Sequence, residues 1–406
     1  TLIPDAPAEP AGAAPDMGGL TSDQALNQIA SLLDSSSAAP RAGGKPVQQA
    51  ARLSPTATAR PRPTATTEPA AAAPAAAPPG AGDQPAKAAF PPAARLDGLA
   101  HYWQTWNNCG PATLSMNLSY FGIKVGQDKI GPALKPEKDD KNVAPQQLAD
   151  YARSQGLKAL VRVNGDANRL KALLQAGIPV LTETWYEPKP NDGMGHYRLV
   201  VGYDDAAGYW IAYDSYDSHG IKKGDPYQGV HFPYDSFDRV WKVFGRTYIP
   251  IYDEGRAAAV EQVLGADLDE GHMWQRALAE DLAYVKSSPK DAFGWFNVGT
   301  DYVNLGDYKA AAQAYDAARR LKLPWRMLWY QFGPFEAYYQ TGRYKEVITL
   351  ADATIKTAVN DEELFYWKGL AQQALGDSAS AKASLEQAVK LRQTYQDAVD
   401  ALAKLE

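Results

Sequence analysis

The chain has little of what metal sites, disulfide-bonded scaffolds and membrane spans require. Its 406 residues include one cysteine and five histidines. A single cysteine excludes an internal disulfide and any multi-cysteine metal site, and so few histidines leave little material for zinc. No apolar run approaches the roughly 18 to 20 residues of a transmembrane helix. The sequence therefore predicts no resident metal, no cofactor and no transmembrane segment.

An excess of basic residues is also missing. The 41 Lys and Arg residues face 47 Asp and Glu residues, which gives a formal net charge of −6. Proteins that bind nucleic acid generally need a basic surface to release phosphate counterions, so we predict no nucleic-acid partner. Hydrophobic residues make up 45% of the chain, enough for a sizeable core, and the length suggests two or three domains.

Residues 1–95 contain almost no aromatic side chain and are rich in proline and alanine. Such a low-complexity stretch cannot bury enough apolar surface to offset the entropy lost on ordering, so we predict a disordered linker arm. Within it, 22–33 has a capping-box pattern and one apolar face, which predicts a short helix. Similar arms are common outside the cytoplasm. We expect an extracytoplasmic protein, secreted or tethered to the cell surface, with a signal or anchor upstream of Thr1.

The lone cysteine lies in residues 96–253, where helical and strand patterns alternate in a way that predicts an α+β domain. Cys109 opens a helical pattern that ends at Gly122, with Pro111 suited to the first turn. The helix dipole favours a thiolate at this position, and the thiolate is the nucleophilic form of cysteine. A buried structural cysteine is the alternative, because cysteine is among the most buried residue types. The Gly-Pro turn after Cys109 favours an exposed elbow instead.

A nucleophilic thiolate needs an acid–base partner and a group that orients that partner. His196 leads a β-rich run, and Asp214 ends the next predicted strand after a turn at 204–208. In an antiparallel hairpin the start of one strand lies beside the end of the next, so we predict that His196 and Asp214 are neighbours. Gln104, five residues before Cys109, is a candidate oxyanion donor together with the Cys109 N–H. A structural histidine and a solvated glutamine are the alternatives.

These segments resemble a known family. Gln-Thr-Trp-Asn-Asn-Cys-Gly-Pro-Ala at 104–112, Gly-His-Tyr-Arg-Leu-Val-Val-Gly-Tyr-Asp at 195–204 and Tyr-Asp-Ser at 213–215 are similar to papain-fold cysteine peptidases related to bacteriocin-leader (double-glycine) processing. The resemblance is strongest to their stand-alone relatives and covers about 98–252. It implies that Cys109 is the nucleophile, His196 the general base and then acid, Asp214 the orienting residue and Gln104 the oxyanion donor. The membrane and ATP-binding domains of bacteriocin exporters have no counterpart here, so double-glycine cleavage does not carry over.

Residues 254–406 carry a repeated pattern. A turn with a Leu-Gly or Thr-Gly pair recurs at Gly306, Gly342 and Gly376, each time between an aromatic-rich and an alanine-rich helical segment. This period resembles tetratricopeptide repeats and predicts an all-α helical repeat domain. One interpretation is a scaffold that supports the peptidase-like domain. The other is a protein-binding surface, for which the sequence offers five aromatic residues: Trp325, Trp329, Tyr330, Tyr338 and Tyr339.

The combined prediction is a papain-like thiol protease that cleaves a peptide or protein substrate through a Cys-His-Asp triad and a thioester. The helical repeats then serve as a scaffold or bind a protein partner. Two alternatives stay open. One is an amidase, acyltransferase or cell-wall hydrolase on the same fold, because all of these share the thioester step. The other is a non-catalytic adaptor that binds peptides.

Overall fold

The computed structural model describes residues 90–189, 192–217 and 227–405. Within them, an antiparallel sheet with helices on both faces is followed by a region built from helices alone. The α+β and all-α regions predicted from sequence are thus both present. The helix predicted at 22–33 lies outside the described residues, as does nearly all of the predicted arm.

The described residues form one sheet of seven strands. They are β1 (Ala93–Arg95), β2 (Lys158–Ala159), β3 (Val180–Tyr186), β4 (Met194–Asp204), β5 (Tyr209–Asp214), β6 (Val230–Pro233) and β7 (Tyr248–Tyr252). Neighbouring strands are antiparallel in the order β2-β7-β3-β4-β5-β6, and β1 pairs with the last residues of β4. Strand β1 lies before the predicted boundary at residue 96. The β-rich pattern at 157–163 predicts a longer strand, but the structure has only β2, after which Arg162 makes one isolated bridge to Tyr248.

Two buried layers enclose this sheet because side chains alternate between its faces. The helices are α1 (Cys109–Tyr120), α2 (Gln127–Leu134), α3 (Pro145–Ser154), α4 (Ala167–Gln175) and α5 (Tyr234–Trp241). Leu181 and Leu199 face a core formed with α1 and α3. Val180 and Val200, one residue along each strand, face a core formed with α4 and α5. The sheet therefore holds α1, which carries the cysteine, against β4, which carries His196.

Helices alone make up the rest of the described chain, apart from short 3₁₀ turns. They are α6 (Ala257–Leu264), α7 (Glu270–Ser287), α8 (Ala292–Asn304), α9 (Tyr308–Arg320), α10 (Gly333–Gln340), α11 (Tyr344–Ile355), α12 (Glu362–Ala374), α13 (Ser378–Leu391) and α14 (Gln396–Ala403). The recurring glycines Gly306, Gly342 and Gly376 all have φ between 76° and 85°. Glycine takes this left-handed conformation without strain, so it ends one helix and turns the chain into the next.

One predicted helix is interrupted. The pattern at 328–339 predicts a single helix, but the structure has a 3₁₀ turn at Trp325–Trp329, a break, and then α10. Pro334 explains the break, because in a continuous helix it would have no N–H to donate to the Tyr330 carbonyl and its ring would clash with that carbonyl. The break turns Tyr330 away from a regular helix and toward the sheet domain.

Most of the aromatic residues suggested as a binding surface are used in packing. Trp329 and Tyr338 are buried in the helical core. The Arg343 guanidinium lies 4.0 Å from the Tyr338 ring centroid, and Lys141 Nζ lies 4.1 Å from the Trp329 ring. The scaffold interpretation therefore applies to these two side chains, and Lys141 ties the second to the sheet domain.

Candidate active site

Cys109 is the first residue of α1 and a free, partly buried thiol. The loop before it turns sharply at Asn107, whose φ is 54°, a left-handed value that asparagine tolerates better than most residues. Gly110 follows the thiol, and a Cβ built on it would lie 3.2 Å from the Tyr197 ring. The absence of a side chain at Gly110 thus lets the start of α1 approach β4 closely.

His196 and Asp214 meet across the β4–β5 hairpin. Directly opposite Asp214 in the register is Arg198, with a bulge after Val200, so His196 reaches Asp214 diagonally from two residues further along the same face. His196 Nε2 lies 2.8 Å from Asp214 Oδ1. That contact leaves Nδ1 as the ring nitrogen available to the thiol. The structure therefore brings together Cys109, His196 and Asp214, which lie far apart in sequence.

The orientation of Asp214 is fixed by more than the histidine. Arg198 Nε donates to its Oδ2 at 2.8 Å, and the backbone N–H groups of Tyr216 and Asp217 each donate to its Oδ1 at 2.8 Å. Both Asp214 and Arg198 are buried. Arg198 was not predicted from the sequence as a site residue. Its spacing of two residues from His196 on one strand was the signal that could have placed it on the same face.

Burial and charge together favour an ionised thiol–imidazole pair. Burial raises the pKa of the Cys109 thiol, but the His196 hydrogen bond and charge, with the N–H groups of Tyr197 and Gly110, lower the pKa to a net value below the ordinary one. Burial lowers the pKa of His196, but the charge and hydrogen bond of Asp214 raise the pKa to about 9. Burial opposes ionisation of Asp214 too, yet the charges on His196 and Arg198 hold its pKa below the usual range.

Gln104 is anchored to the loop after Asp214. Its backbone N–H donates to the Ser215 carbonyl at 2.9 Å, and its Oε1 accepts from the Ser215 hydroxyl at 2.9 Å. Because Oε1 accepts this bond, the Nε2 end of the side-chain amide remains as the hydrogen-bond donor. Gln104 does not line the described cavity at Cys109, so its role as an oxyanion donor stays a prediction.

A small cavity opens at the thiol. Its volume of about 10 Å³ accommodates about one water-sized group. Besides Cys109 and His196, its walls contain polar and aromatic residues from several elements, among them Asn107, Lys141, Glu183, Tyr197 and Tyr330. Neither Asn107 nor Glu183 was predicted from the sequence as a site residue. Asn107 lies two positions before the cysteine, and Glu183 is the lone charged residue of strand β3.

Tyr330 reaches this cavity from the helical region. Its ring packs on Gly195, where a built Cβ would lie 3.2 Å from ring carbons. Nearby, Arg326 Nη1 donates to the Gly193 carbonyl at 3.4 Å and forms an ion pair with Asp192. The helical region therefore forms part of the wall around the thiol rather than a separate module.

Neither a metal centre nor a membrane span is evident in the part of the chain that the structure describes. Within those ranges, no group of three or more His, Cys, Asp or Glu side chains is arranged to hold a metal ion. None of the helices described has the length and apolarity to cross a bilayer.

Two family models match the chain. The Peptidase_C39 like family matches residues 89–249, and the tetratricopeptide repeat matches residues 362–395. No curated protein matches the chain.

Three solved structures are similar to parts of the chain at low sequence identity. A C39-like peptidase from Bacillus anthracis has 18% identity over 40% of this chain and 98% of its own, with a TM-score of 0.31. A double glycine motif protease from an AMS/PCAT transporter, solved with its leader peptide, has 19% identity over 39% and 94%, with a TM-score of 0.29. A thermophilic TPR protein from Thermus thermophilus has 22% identity over 35% and 77%, with a TM-score of 0.28.

The first family model spans the sheet domain, and the second lies within the helical region. The chain thus combines a Peptidase_C39-like α+β region with a tetratricopeptide-like helical region.

Proposed function

We propose that the α+β region hydrolyses a peptide bond, with Cys109 as nucleophile, His196 as acid–base and Asp214 as the orienting residue. The observation that carries the proposal is the chain of contacts from thiol to imidazole to buried carboxylate. The lowered pKa of Cys109 and the raised pKa of His196 support an ion pair at neutral pH. Such a pair supplies both a ready nucleophile and a proton donor.

The proposed reaction has two halves. The Cys109 thiolate attacks the scissile carbonyl carbon and forms a tetrahedral oxyanion; His196 then gives its proton to the leaving amine, and the C–N bond breaks to leave a thioester. In the second half, His196 takes a proton from water, and the resulting hydroxide adds to the thioester. The C–S bond then breaks, which regenerates the Cys109 thiolate and releases the carboxylic acid product. Asp214 holds the imidazole in place in both halves and offsets its positive charge whenever the imidazole is protonated.

The oxyanion requires hydrogen-bond donors at the scissile carbonyl. We propose the Cys109 N–H, at the start of α1, and Gln104 Nε2 for this role. The Ser215 hydroxyl, by holding Gln104 Oε1, supports the orientation in which Nε2 is the donating end.

The tetratricopeptide-like region suggests protein interaction, and we propose that it brings a protein substrate or partner to the peptidase domain. Tyr330 and Lys141, which link the two regions at the cavity, support this coupling. We further propose that the protein acts outside the cytoplasm, with the Pro/Ala-rich arm as a spacer.

The test is a search for new peptide termini. The full chain is incubated with a proteome-derived peptide mixture, and new N- and C-termini are identified by mass spectrometry. We expect termini that disappear in Cys109→Ala and His196→Ala. His231→Ala is the matched control, because His231 stacks on Tyr209 at 4.1 Å and does not line the cavity.

Other outcomes separate the alternative functions. Termini that persist in both variants would exclude the triad as their source. If no termini form but Cys109-dependent deamidation or acyl transfer occurs, the domain is an amidase or acyltransferase. An inert thiol with no product of any kind would favour the adaptor.

A further inference from the structure

Two residues that line the Cys109 cavity each carry a buried polar atom with no hydrogen-bond partner among the described residues. The atoms are Asn107 Nδ2, a donor, and Glu183 Oε2, on a residue that is 4% exposed. Buried polar atoms are nearly always paired, because an unpaired one loses its hydration without compensation. Two such atoms of opposite character in one cavity therefore point to a ligand that supplies both partners.

Different elements bring the two atoms to the thiol. Asn107 is in the loop before α1, two residues from Cys109, while Glu183 is on β3 directly opposite Tyr197 of β4. Asn108, the next residue, shows that the local fold of this loop does not by itself leave an asparagine donor unpaired. Asn108 Nδ2 donates to Thr105 Oγ1 at 2.7 Å, and Asn108 does not line the cavity. Only the first asparagine of the pair keeps an unused donor beside the nucleophile.

We propose that Asn107 and Glu183 bind one peptide group of the substrate, with Asn107 donating to its carbonyl oxygen and Glu183 accepting from its N–H. The inference rests on the proposed peptidase function and names the substrate group that this cavity selects. A peptide group carries one acceptor and one donor, which complements the pair. A carboxyl accepts a hydrogen bond whether it is protonated or ionised, so Glu183 serves in either state.

The size of the cavity fits this assignment. A volume of about 10 Å³ holds one water-sized part of a peptide group at the thiol, such as its carbonyl oxygen, and excludes a large side chain. A site that hydrogen-bonds a substrate N–H rejects the analogue that lacks it, because the buried acceptor is then left unpaired. The pair therefore selects amides over the corresponding esters.

The lone cysteine allows a test that needs no known substrate. Cys109 in the full chain is alkylated with iodoacetamide, which has a carbonyl and N–H groups, and with methyl iodoacetate, which has the carbonyl alone. Methyl methanethiosulfonate, which has neither, reports the intrinsic reactivity of the thiol. All three rate constants are divided by those of a small free thiol and compared in the wild type, Glu183→Leu and Asn107→Gly.

We expect Glu183→Leu to lower the amide-to-ester rate ratio roughly three- to tenfold, the effect of one lost hydrogen bond. Asn107→Gly should lower the rate constants of both carbonyl reagents by a similar factor relative to that of the thiosulfonate. The amide-to-ester rate ratio should then stay unchanged. Glycine is chosen because it accepts the left-handed φ at this position. Asn108→Gly is the matched control and should change neither ratio.

Ratios that are equal in the wild type and both variants would overturn the proposal, as would failure of either carbonyl reagent to label a Cys109 that the thiosulfonate modifies. Thermal unfolding of each variant confirms that it is folded. Failure of the peptidase function has a different signature: the wild-type thiol then reacts no faster than the free thiol at mildly acidic pH, whatever the amide-to-ester ratio.

Discussion

Tyr330 of the helical region lies against Gly195 of strand β4, one residue before His196. A Cβ at Gly195 would lie 3.2 Å from the Tyr330 ring, tighter than ordinary van der Waals contact. The helical region thus closes one side of the cavity at Cys109, and access to the thiol depends on a side chain from outside the sheet domain.

Replacing Tyr330 should open the cavity. We expect Tyr330→Ala to raise the labelling rate of Cys109 by N-ethylmaleimide relative to the smaller iodoacetamide, since the ring no longer limits reagent size. Truncating a packed aromatic costs about 3 kcal/mol, so a urea titration accompanies the measurement. Tyr330→Phe keeps the ring and is the control. A size preference that is the same in wild type and Tyr330→Ala would show that Tyr330 does not limit access.

His196 should control the ionisation of Cys109. In the wild type we expect the rate of iodoacetamide labelling to level off at a pH below the ordinary thiol pKa. His196→Gln removes the hydrogen bond and charge that lower the thiol pKa, while burial still raises it. Each unit of upward shift lowers the thiolate fraction at pH 6 about tenfold. An unchanged pH profile would contradict the thiolate–imidazolium pair.

The proposed peptidase activity should fall at alkaline pH. The pKa of His196 is raised to about 9 by Asp214, so the imidazolium, the proposed proton donor to the leaving amine, persists at neutral pH and is lost as the pH rises through about 9. We expect kcat/KM for a cleaved peptide to fall above this pH. A fall near the ordinary histidine value of about 6.5 would mean that Asp214 does not raise the histidine pKa.

Arg198 should be essential for stability as well as for orienting Asp214. Arg198→Met leaves one oxygen of the buried Asp214 carboxylate uncompensated, a change that costs about 3–5 kcal/mol. Lys158→Met removes an exposed ion pair with Glu254 and should change the free energy of unfolding far less. The free energies of unfolding from urea titrations test the contrast. Similar losses in both variants would show that the buried ion pair contributes no more to the free energy of unfolding than the exposed one.

Glu183 should make stability fall with rising pH. Burial and the charge of Cys109 raise its pKa to about 8, so the folded state binds a proton that the unfolded state releases near pH 4.5. The free energy of unfolding therefore decreases between these two pH values. Glu183→Leu removes this decrease and the cost of an unpaired buried oxygen, so we expect a gain of about 1–3 kcal/mol at pH 8. Parallel pH profiles in the two proteins would exclude this role.

Local patterns determined much of the architecture. The helix that starts at Cys109 was predictable because apolar spacing, an N-terminal proline and a terminal glycine all act within a few residues. The repeat turns were predictable for the same reason, since Gly306, Gly342 and Gly376 each take the left-handed conformation that ends a helix. Where one local signal opposed another, as Pro334 opposed the helix expected at 328–339, the prediction failed.

The sequence by itself thus determined the two kinds of region, the position of the thiol at a helix start and the hairpin that pairs His196 with Asp214, because hydrogen bonding over short separations sets these features. Only the tertiary structure decided that Glu183 and Asn107 line one cavity and that Tyr330 forms part of its wall. Those contacts join segments from tens of residues to more than two hundred residues apart, and they depend on how the sheet, α1 and the repeats pack. No local periodicity encodes that packing.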